Sequence, residues 1–121
     1  MELKTIQAPQ IPVRLFEAGS GAPLLFLHGA GGLMANDPFL AALAQKYHVH
    51  APLLPGYGDS EECGELRDML DITLHTLDVV DALGLKDPIL AGHSMGGMIA
   101  AEMAALDNHR FSRLALIAPA G

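Results

Sequence analysis

Short apolar runs alternate repeatedly with segments of helical periodicity along this sequence, and this alternation excludes most fold classes. Runs with strand character lie at 23–27, 47–53, 88–92 and 113–118. Helical patterns lie between them, at 37–46, 66–83 and 95–106. Strands that alternate with helices in this way form a mostly parallel sheet covered by helices. We therefore predict an α/β fold with three layers, α/β/α.

The first 18 residues follow a different pattern, in which apolar and polar residues alternate. Segments 1–8 and 11–18 have the period of two that is typical of half-buried strands, and prolines mark the bend between them. They predict an N-terminal β-hairpin. No linker separates two apolar halves, so we expect one domain over 1–121.

Composition excludes several classes of function. Half of the residues are hydrophobic, which favours a folded core, and a net charge of −7 with seven Lys and Arg argues against nucleic acid as a partner. No signal peptide and no apolar run of about 20 residues is present, so we expect a cytoplasmic protein without a membrane partner. Cys63 is the single cysteine, which excludes an internal disulfide, and its acidic neighbours make it a poor thiolate.

The sharpest motif is Gly92-His93-Ser94-Met95-Gly96, a Gly-x-Ser-x-Gly pattern placed between a predicted strand and a predicted helix. A serine on so tight a turn has a strained backbone, and residues with side chains two positions away on either side would collide with the adjoining elements. The turn exposes the serine hydroxyl and aims a helix N-terminus at it. This pattern predicts that Ser94 is a nucleophile and that the Met95 backbone N–H faces a developing oxyanion.

Two further motifs precede it in order along the chain. They are His28-Gly29-Ala30-Gly31-Gly32, after an apolar run, and 54–60 (Leu-Pro-Gly-Tyr-Gly-Asp-Ser). Together the three motifs resemble the serine-nucleophile branch of the α/β-hydrolase superfamily, of which the chain looks like the N-terminal half. Gly92-His93-Ser94-Met95-Gly96-Gly97 is similar to cofactor-free haloperoxidase-type esterases and to carbon–carbon bond hydrolases.

The resemblance implies a role for each residue of the motifs. Ala30 and Met95 supply the oxyanion-hole N–H groups. Gly29 and Gly31 of the same loop are candidate substrate contacts, and so is Met34, from its place in the loop rather than from a motif. Four residues are structural at the site: His28, Gly92, His93 and Gly96. Asp59 and Ser60 are interpreted as turn residues, and Met95, Met98 and Met103 as core. We expect a small-molecule substrate, no metal and no cofactor.

Two nucleotide-binding interpretations are weaker. The segment Gly29-Ala30-Gly31-Gly32-Leu33-Met34 has Met where a dinucleotide-binding loop has its third small residue. No acidic residue closes the strand that follows it. A phosphate-binding loop is excluded because no Gly-Lys-Ser or Gly-Lys-Thr occurs.

The predicted nucleophile has no predicted base. In this superfamily the acid and the histidine follow the serine, whereas here only Glu102, Asp107 and His109 follow Ser94, on or just beyond the nucleophile helix. We therefore expect a domain that is truncated before the lid and the acid- and histidine-bearing loops and is inactive by itself. We expect the full-length parent to hydrolyse an ester-like, acyl or carbon–carbon bond through an acyl-enzyme. The alternative is a non-catalytic ligand-binding or interaction protein. A bare last strand also predicts self-association.

Overall fold

The computed structural model describes residues 1–57 and 68–120, which form one mixed sheet with helices on both faces. The strands are β1 (Glu2–Gln7), β2 (Pro12–Ala18), β3 (Ala22–Leu27), β4 (Tyr47–Pro52), β5 (Ile89–His93) and β6 (Arg113–Ile117). The helices are α1 (Pro38–Leu43), α2 (Met69–Leu83) and α3 (Met95–Leu106), followed by a 3₁₀ turn at Asn108–Arg110. The predicted α/β class is confirmed.

The strand order β1-β2-β4-β3-β5-β6 joins an antiparallel hairpin to a parallel sheet. β1 pairs antiparallel with β2, and β2 pairs antiparallel with β4. The pairs β3–β4, β3–β5 and β5–β6 are parallel. Because the chain crosses from β3 outward to β4 and then back to β5, the carboxyl ends of β3 and β5 lie side by side.

Two apolar clusters fill the space between the sheet and the helices, one on each face. Leu40 of α1 packs on one face against Phe16, Leu24, Phe26 and Val49. On the other face, Val80 of α2 and Ile99 and Met103 of α3 pack against strand residues. These are Leu25 and Leu27 of β3 and Leu90 of β5. Burial of β3 on both faces explains why 24–27 is a continuous apolar run.

Local signals set most helix ends. The Asp37 carboxylate accepts hydrogen bonds from the backbone N–H of Phe39 (2.9 Å) and of Leu40 (3.1 Å), with Pro38 at the first helical position. Gly84 ends α2 in the left-handed conformation, φ 66°. The predicted ends hold except that α1 stops at Leu43 rather than Lys46. The predicted start of α2 at Leu66, together with Asp59, Ser60 and Cys63, lies outside the described residues.

The Ala- and Met-rich sequence at 95–106, apolar on nearly every side, predicts a buried helix, but α3 is buried over only part of its surface. Gly96, Ile99 and Met103 face the sheet, but Glu102 and Leu106 are exposed. The reason is that α3 contacts the sheet along one side and α2 along another, which leaves its remaining side open.

No helix in the described parts of the chain has both the length and the apolar character needed to cross a lipid bilayer.

Candidate active site

Ser94 occupies a strained turn between β5 and α3. Its backbone has φ 54° and ψ −116°, a conformation that costs a residue with a side chain about 1–3 kcal/mol. The serine is half-buried and stands at the N-terminus of α3 without a side-chain capping bond. No described residue makes a hydrogen bond to its hydroxyl. The hydroxyl therefore stands at a helix N-terminus without a hydrogen-bond partner among the described residues.

The two motif glycines allow strand and helix to meet at this turn. A Cβ on Gly92 would overlap the carbonyl of Gly96 and the backbone nitrogen of Gly97, at the start of α3. A Cβ on Gly96 would overlap the carbonyl oxygens of Leu27 and His28, at the end of β3. These are backbone atoms, which cannot rotate away. The geometry thus has the close approaches that the sequence motif predicts.

Long-range hydrogen bonds hold the strained conformation, and no sequence motif signals them. The Ser94 N–H donates to the carbonyl of Ile117 (3.0 Å), and the Ser94 carbonyl accepts from the N–H of Ala120 (2.9 Å). The same carbonyl accepts the local first bond of α3, from the Met98 N–H (3.1 Å). In addition, Pro119 packs against Gly97, where an added Cβ would come within 2.9 Å of the Pro119 Cβ. The end of β6 and the segment after it therefore secure the turn.

The glycine-rich loop after β3 lies directly against the serine. A Cβ on Gly29 would stand 3.2 Å from the Ser94 Cβ. A turn follows, in which the Gly32 N–H donates to the Gly29 carbonyl (3.0 Å) and exposes Ala30 and Gly31 at its tip. In residues 1–57 and 68–120, neither the Ala30 N–H nor the Met95 N–H has a hydrogen-bond acceptor. Two free backbone donors thus border the loop and the turn that hold Ser94.

His28 connects this loop to the one after β4. It is buried, its Nε2 accepts a hydrogen bond from the Leu54 N–H (3.0 Å), and its Nδ1 therefore carries the proton and donates to the Gly29 carbonyl (2.7 Å). Tyr57 packs edge-on against the imidazole, with ring centroids 4.7 Å apart. Burial lowers the pKa of His28, and the hydrogen bond to Gly29 opposes this only in part. A neutral imidazole with both nitrogens bonded fits a structural role.

His93 and Met34 are exposed, in different surroundings. His93 lines a cleft of about 280 Å³ whose other walls are Phe26, Phe39, Ile117 and Asp37. Met34 is 69% exposed and is not among the residues that line this cleft. His93, which was expected to be structural, therefore lines a ligand-sized cleft, whereas Met34, which was expected at the substrate from its loop position, does not line it.

Similarity to known proteins extends over most of the chain. The model of the alpha/beta hydrolase family matches residues 24–121. The chain belongs to the alpha/beta hydrolase family. This is the family that the sequence motifs indicated. The strained Ser94 turn, the two free backbone N–H donors and the strand order described above are therefore features of a chain of that family.

This alpha/beta hydrolase chain is similar to proteins with several activities. It is 39% identical over 112 residues to a dihydrolipoyllysine-residue acetyltransferase component of an acetoin cleaving system from Pseudomonas putida, covering 90% of this chain and 30% of that protein. It is 34% identical over 123 residues to a 2-hydroxymuconate semialdehyde hydrolase from Pseudomonas sp. (strain CF600), covering 98% of this chain and 44% of that protein. Among solved structures, naproxen esterase (carboxylesterase NP) from Bacillus subtilis has a TM-score of 0.87 at 25% identity. The match covers 98% of this chain and 43% of the esterase.

The chain spans less than half the length of each of these relatives. An alpha/beta hydrolase with a serine nucleophile takes its acid and histidine from positions after the serine. Here Asp107 accepts a hydrogen bond from the Arg110 Nε (3.1 Å), and Glu102 lies on α3. The far end of α3 lies about 18 Å along the helix axis from Ser94, and His109 lies beyond that end. None of the three stands at the serine hydroxyl.

Proposed function

We propose that this chain is the nucleophile-bearing part of a serine hydrolase that acts on a small ester-like or related acyl substrate. The observation that carries the proposal is the backbone of Ser94, which is strained at φ 54° and ψ −116° on a turn between β5 and α3. Such strain persists only where the surrounding structure enforces it, and it is concentrated at functional sites. The 2-hydroxymuconate semialdehyde hydrolase and the naproxen esterase among the relatives support the same reaction class.

In the proposed reaction the Ser94 hydroxyl attacks the substrate carbonyl carbon and gives its proton to a general base. The carbonyl oxygen becomes an oxyanion, which the N–H groups of Ala30 and Met95 stabilise. Collapse of the tetrahedral intermediate breaks the bond to the leaving group, which takes up the proton, and leaves an acyl group on Ser94. Water then releases the acid. Where the leaving group is a carbon atom, the same sequence of steps cleaves a carbon–carbon bond.

The general base and its acid are proposed to come from polypeptide outside residues 1–121. This is supported by the positions of Glu102, Asp107 and His109 and by the share of each relative that the chain covers. Without a base the serine hydroxyl keeps its proton and is a weak nucleophile. The 121-residue chain by itself is therefore proposed to be inactive.

The test compares two proteins, this chain and a version that continues past residue 121. In the longer protein we expect hydrolysis of p-nitrophenyl acetate or butyrate, labelling of Ser94 by a fluorophosphonate probe, and a loss of kcat of roughly 10⁴- to 10⁶-fold in Ser94→Ala. Ser20→Ala, in the exposed turn between β2 and β3, is the matched control and keeps full activity.

Two results separate the parts of the proposal. Turnover by the 121-residue chain that disappears in Ser94→Ala would retain the nucleophile and contradict the outside base. A longer protein that neither turns over esters nor labels at Ser94 would contradict the hydrolase itself, and it would favour a non-catalytic ligand-binding protein on the same scaffold.

A further inference from the structure

A second cluster of chemically versatile side chains lies at the other end of the sheet. Glu17 on β2 is the cross-strand partner of His50 on β4, and His48 precedes His50 by two residues on the same face of that strand. These residues stand near the amino end of the parallel strands, whereas Ser94 follows the carboxyl end of β5. The cluster is therefore separate from the candidate active site.

One potential ligand atom from each of the three side chains lies within 4.8 Å of the other two. The His48 Nε2 and a Glu17 carboxylate oxygen (Oε2) are already 2.5 Å apart. The two imidazole rings are adjacent, with centroids 4.2 Å apart and planes tilted by 46°. A tetrahedral ion with ligand bonds of about 2.1 Å needs ligand atoms about 3.4 Å apart, so small side-chain rotations suffice.

His50 supplies the independent observation that points to a ligand. It is only 5% exposed, and neither of its ring nitrogens has a hydrogen-bond partner among the described residues. Buried polar atoms in folded proteins are almost always satisfied by protein, water or an ion. The side chains of Glu17 and His48, which lie beside His50, are of types that bind transition metals. Both are partly exposed, which leaves a path by which an ion can enter from solvent.

We propose that Glu17, His48 and His50 form a binding site for a first-row divalent transition-metal ion, with Zn²⁺ the best match. Two histidines and one glutamate leave a fourth position for water, as zinc sites of this ligand type do. Ca²⁺ and Mg²⁺ prefer sites built from oxygen ligands and fit poorly. The ion would replace the proton shared by His48 and Glu17 and would join β2 to β4, where the hairpin meets the parallel sheet.

Lys4 sets the second sphere of this site. Its ammonium lies 2.9 Å from the Glu17 Oε1, which leaves the other carboxylate oxygen, Oε2, facing His48. Lys4 therefore orients the carboxylate but also repels a bound cation. Removing its charge should strengthen metal binding, a gain that general damage to the fold does not produce.

The test measures Zn²⁺ binding by isothermal titration calorimetry and the Co²⁺ absorption spectrum. It uses untagged protein in a Cys63→Ser background, so that no thiolate competes. We expect one Zn²⁺ per chain, no comparable binding of Mg²⁺, and tetrahedral Co²⁺ bands. Glu17→Gln and His50→Gln each lower the affinity at least about tenfold, and Lys4→Gln raises it several-fold. His109→Gln, an exposed histidine outside the cluster, is the matched control and leaves the affinity unchanged.

Absence of Zn²⁺ and Co²⁺ binding overturns the proposal, as does binding that Glu17→Gln and His50→Gln leave unaltered. If His50→Gln fails to fold, the affinities of Glu17→Gln and Lys4→Gln test the proposal. Both of these side chains lie partly in solvent, so their substitution should leave the fold intact. Opposite shifts in these two variants support the site, and unchanged affinity in both excludes it.

Discussion

A single methyl group at Gly96 would have no room. The carbonyl oxygens of Leu27 and His28 occupy the space that a Cβ would take, and they belong to the backbone at the end of the central strand β3. Substitution there has to shift β3, α3 or both. The glycine requirement is therefore steric and does not depend on the chemistry of the neighbouring serine.

We predict that Gly96→Ala lowers the free energy of unfolding by about 1–3 kcal/mol or more, the range of overpacked cores. Gly31→Ala is the matched control, because nothing lies within 4 Å of its added Cβ, and its change should stay within about 0.5 kcal/mol. Urea unfolding monitored by circular dichroism measures both. Equal stability of the two variants would contradict the close approach of α3 to β3.

At the scale of elements, β6 is the least protected part of the described structure. It lies at the edge of the sheet, pairs only with β5 among the described strands, and exposes all five of its residues. Leu114, Leu116 and Ile117 are each about two-fifths exposed, at 43%, 41% and 38%. An apolar edge with unpaired backbone groups is a template for pairing with another chain. The same strand also holds Ser94 in place through Ile117.

We propose that the 121-residue chain self-associates through β6. Sedimentation velocity should show a concentration-dependent dimer or larger species. Leu116→Lys places a charge on the edge and should shift the distribution toward monomer. Leu106→Lys, at a similarly exposed leucine on α3, is the control and should leave it unchanged. A wild-type chain that stays monomeric at high concentration would contradict the proposal.

The elements themselves were largely predictable from sequence. The hairpin, the parallel strands and the helices follow from the period of the apolar residues. The start of α1 follows from Asp37 and the end of α2 from Gly84, because their capping geometry is local. The partial exposure of α3 was missed, because its Ala- and Met-rich sequence is apolar on most sides and only its neighbours determine which side is covered.

At the scale of the whole molecule, buried histidines link stability to pH. Burial lowers the pKa of His28 and of His75 below the ordinary value of 6.5, and the Gly29 carbonyl and Asp78, respectively, oppose this only in part. Both residues are almost fully inaccessible. As pH falls below 6.5 the unfolded chain takes up protons at these positions before the folded chain does, so the stability that is present above 6.5 is lost.

We predict that the free energy of unfolding, measured with a chelator present, falls as pH is lowered from about 7 toward the folded-state pKa values. The slope that these two residues contribute is at most about 2.7 kcal/mol per pH unit, the limit for two protons. His75→Gln removes one of them and should flatten the profile, whereas His109→Gln, on the exposed 3₁₀ turn, should not. A profile that His75→Gln leaves as steep as before would contradict the assignment.

The fold class and the turn that carries Ser94 follow from local patterns in the sequence. Periodicity, capping residues and closely spaced glycines act over a few residues, so a linear motif contains all that they require. The surroundings of that turn depend instead on tertiary contacts, such as the hydrogen bonds to Ile117 and from Ala120 and the bond between His28 and Leu54. Glu17 and His50 are likewise adjacent only because β2 pairs with β4. Such contacts join residues that lie far apart along the chain, and they depend on the strand order, which no local pattern specifies.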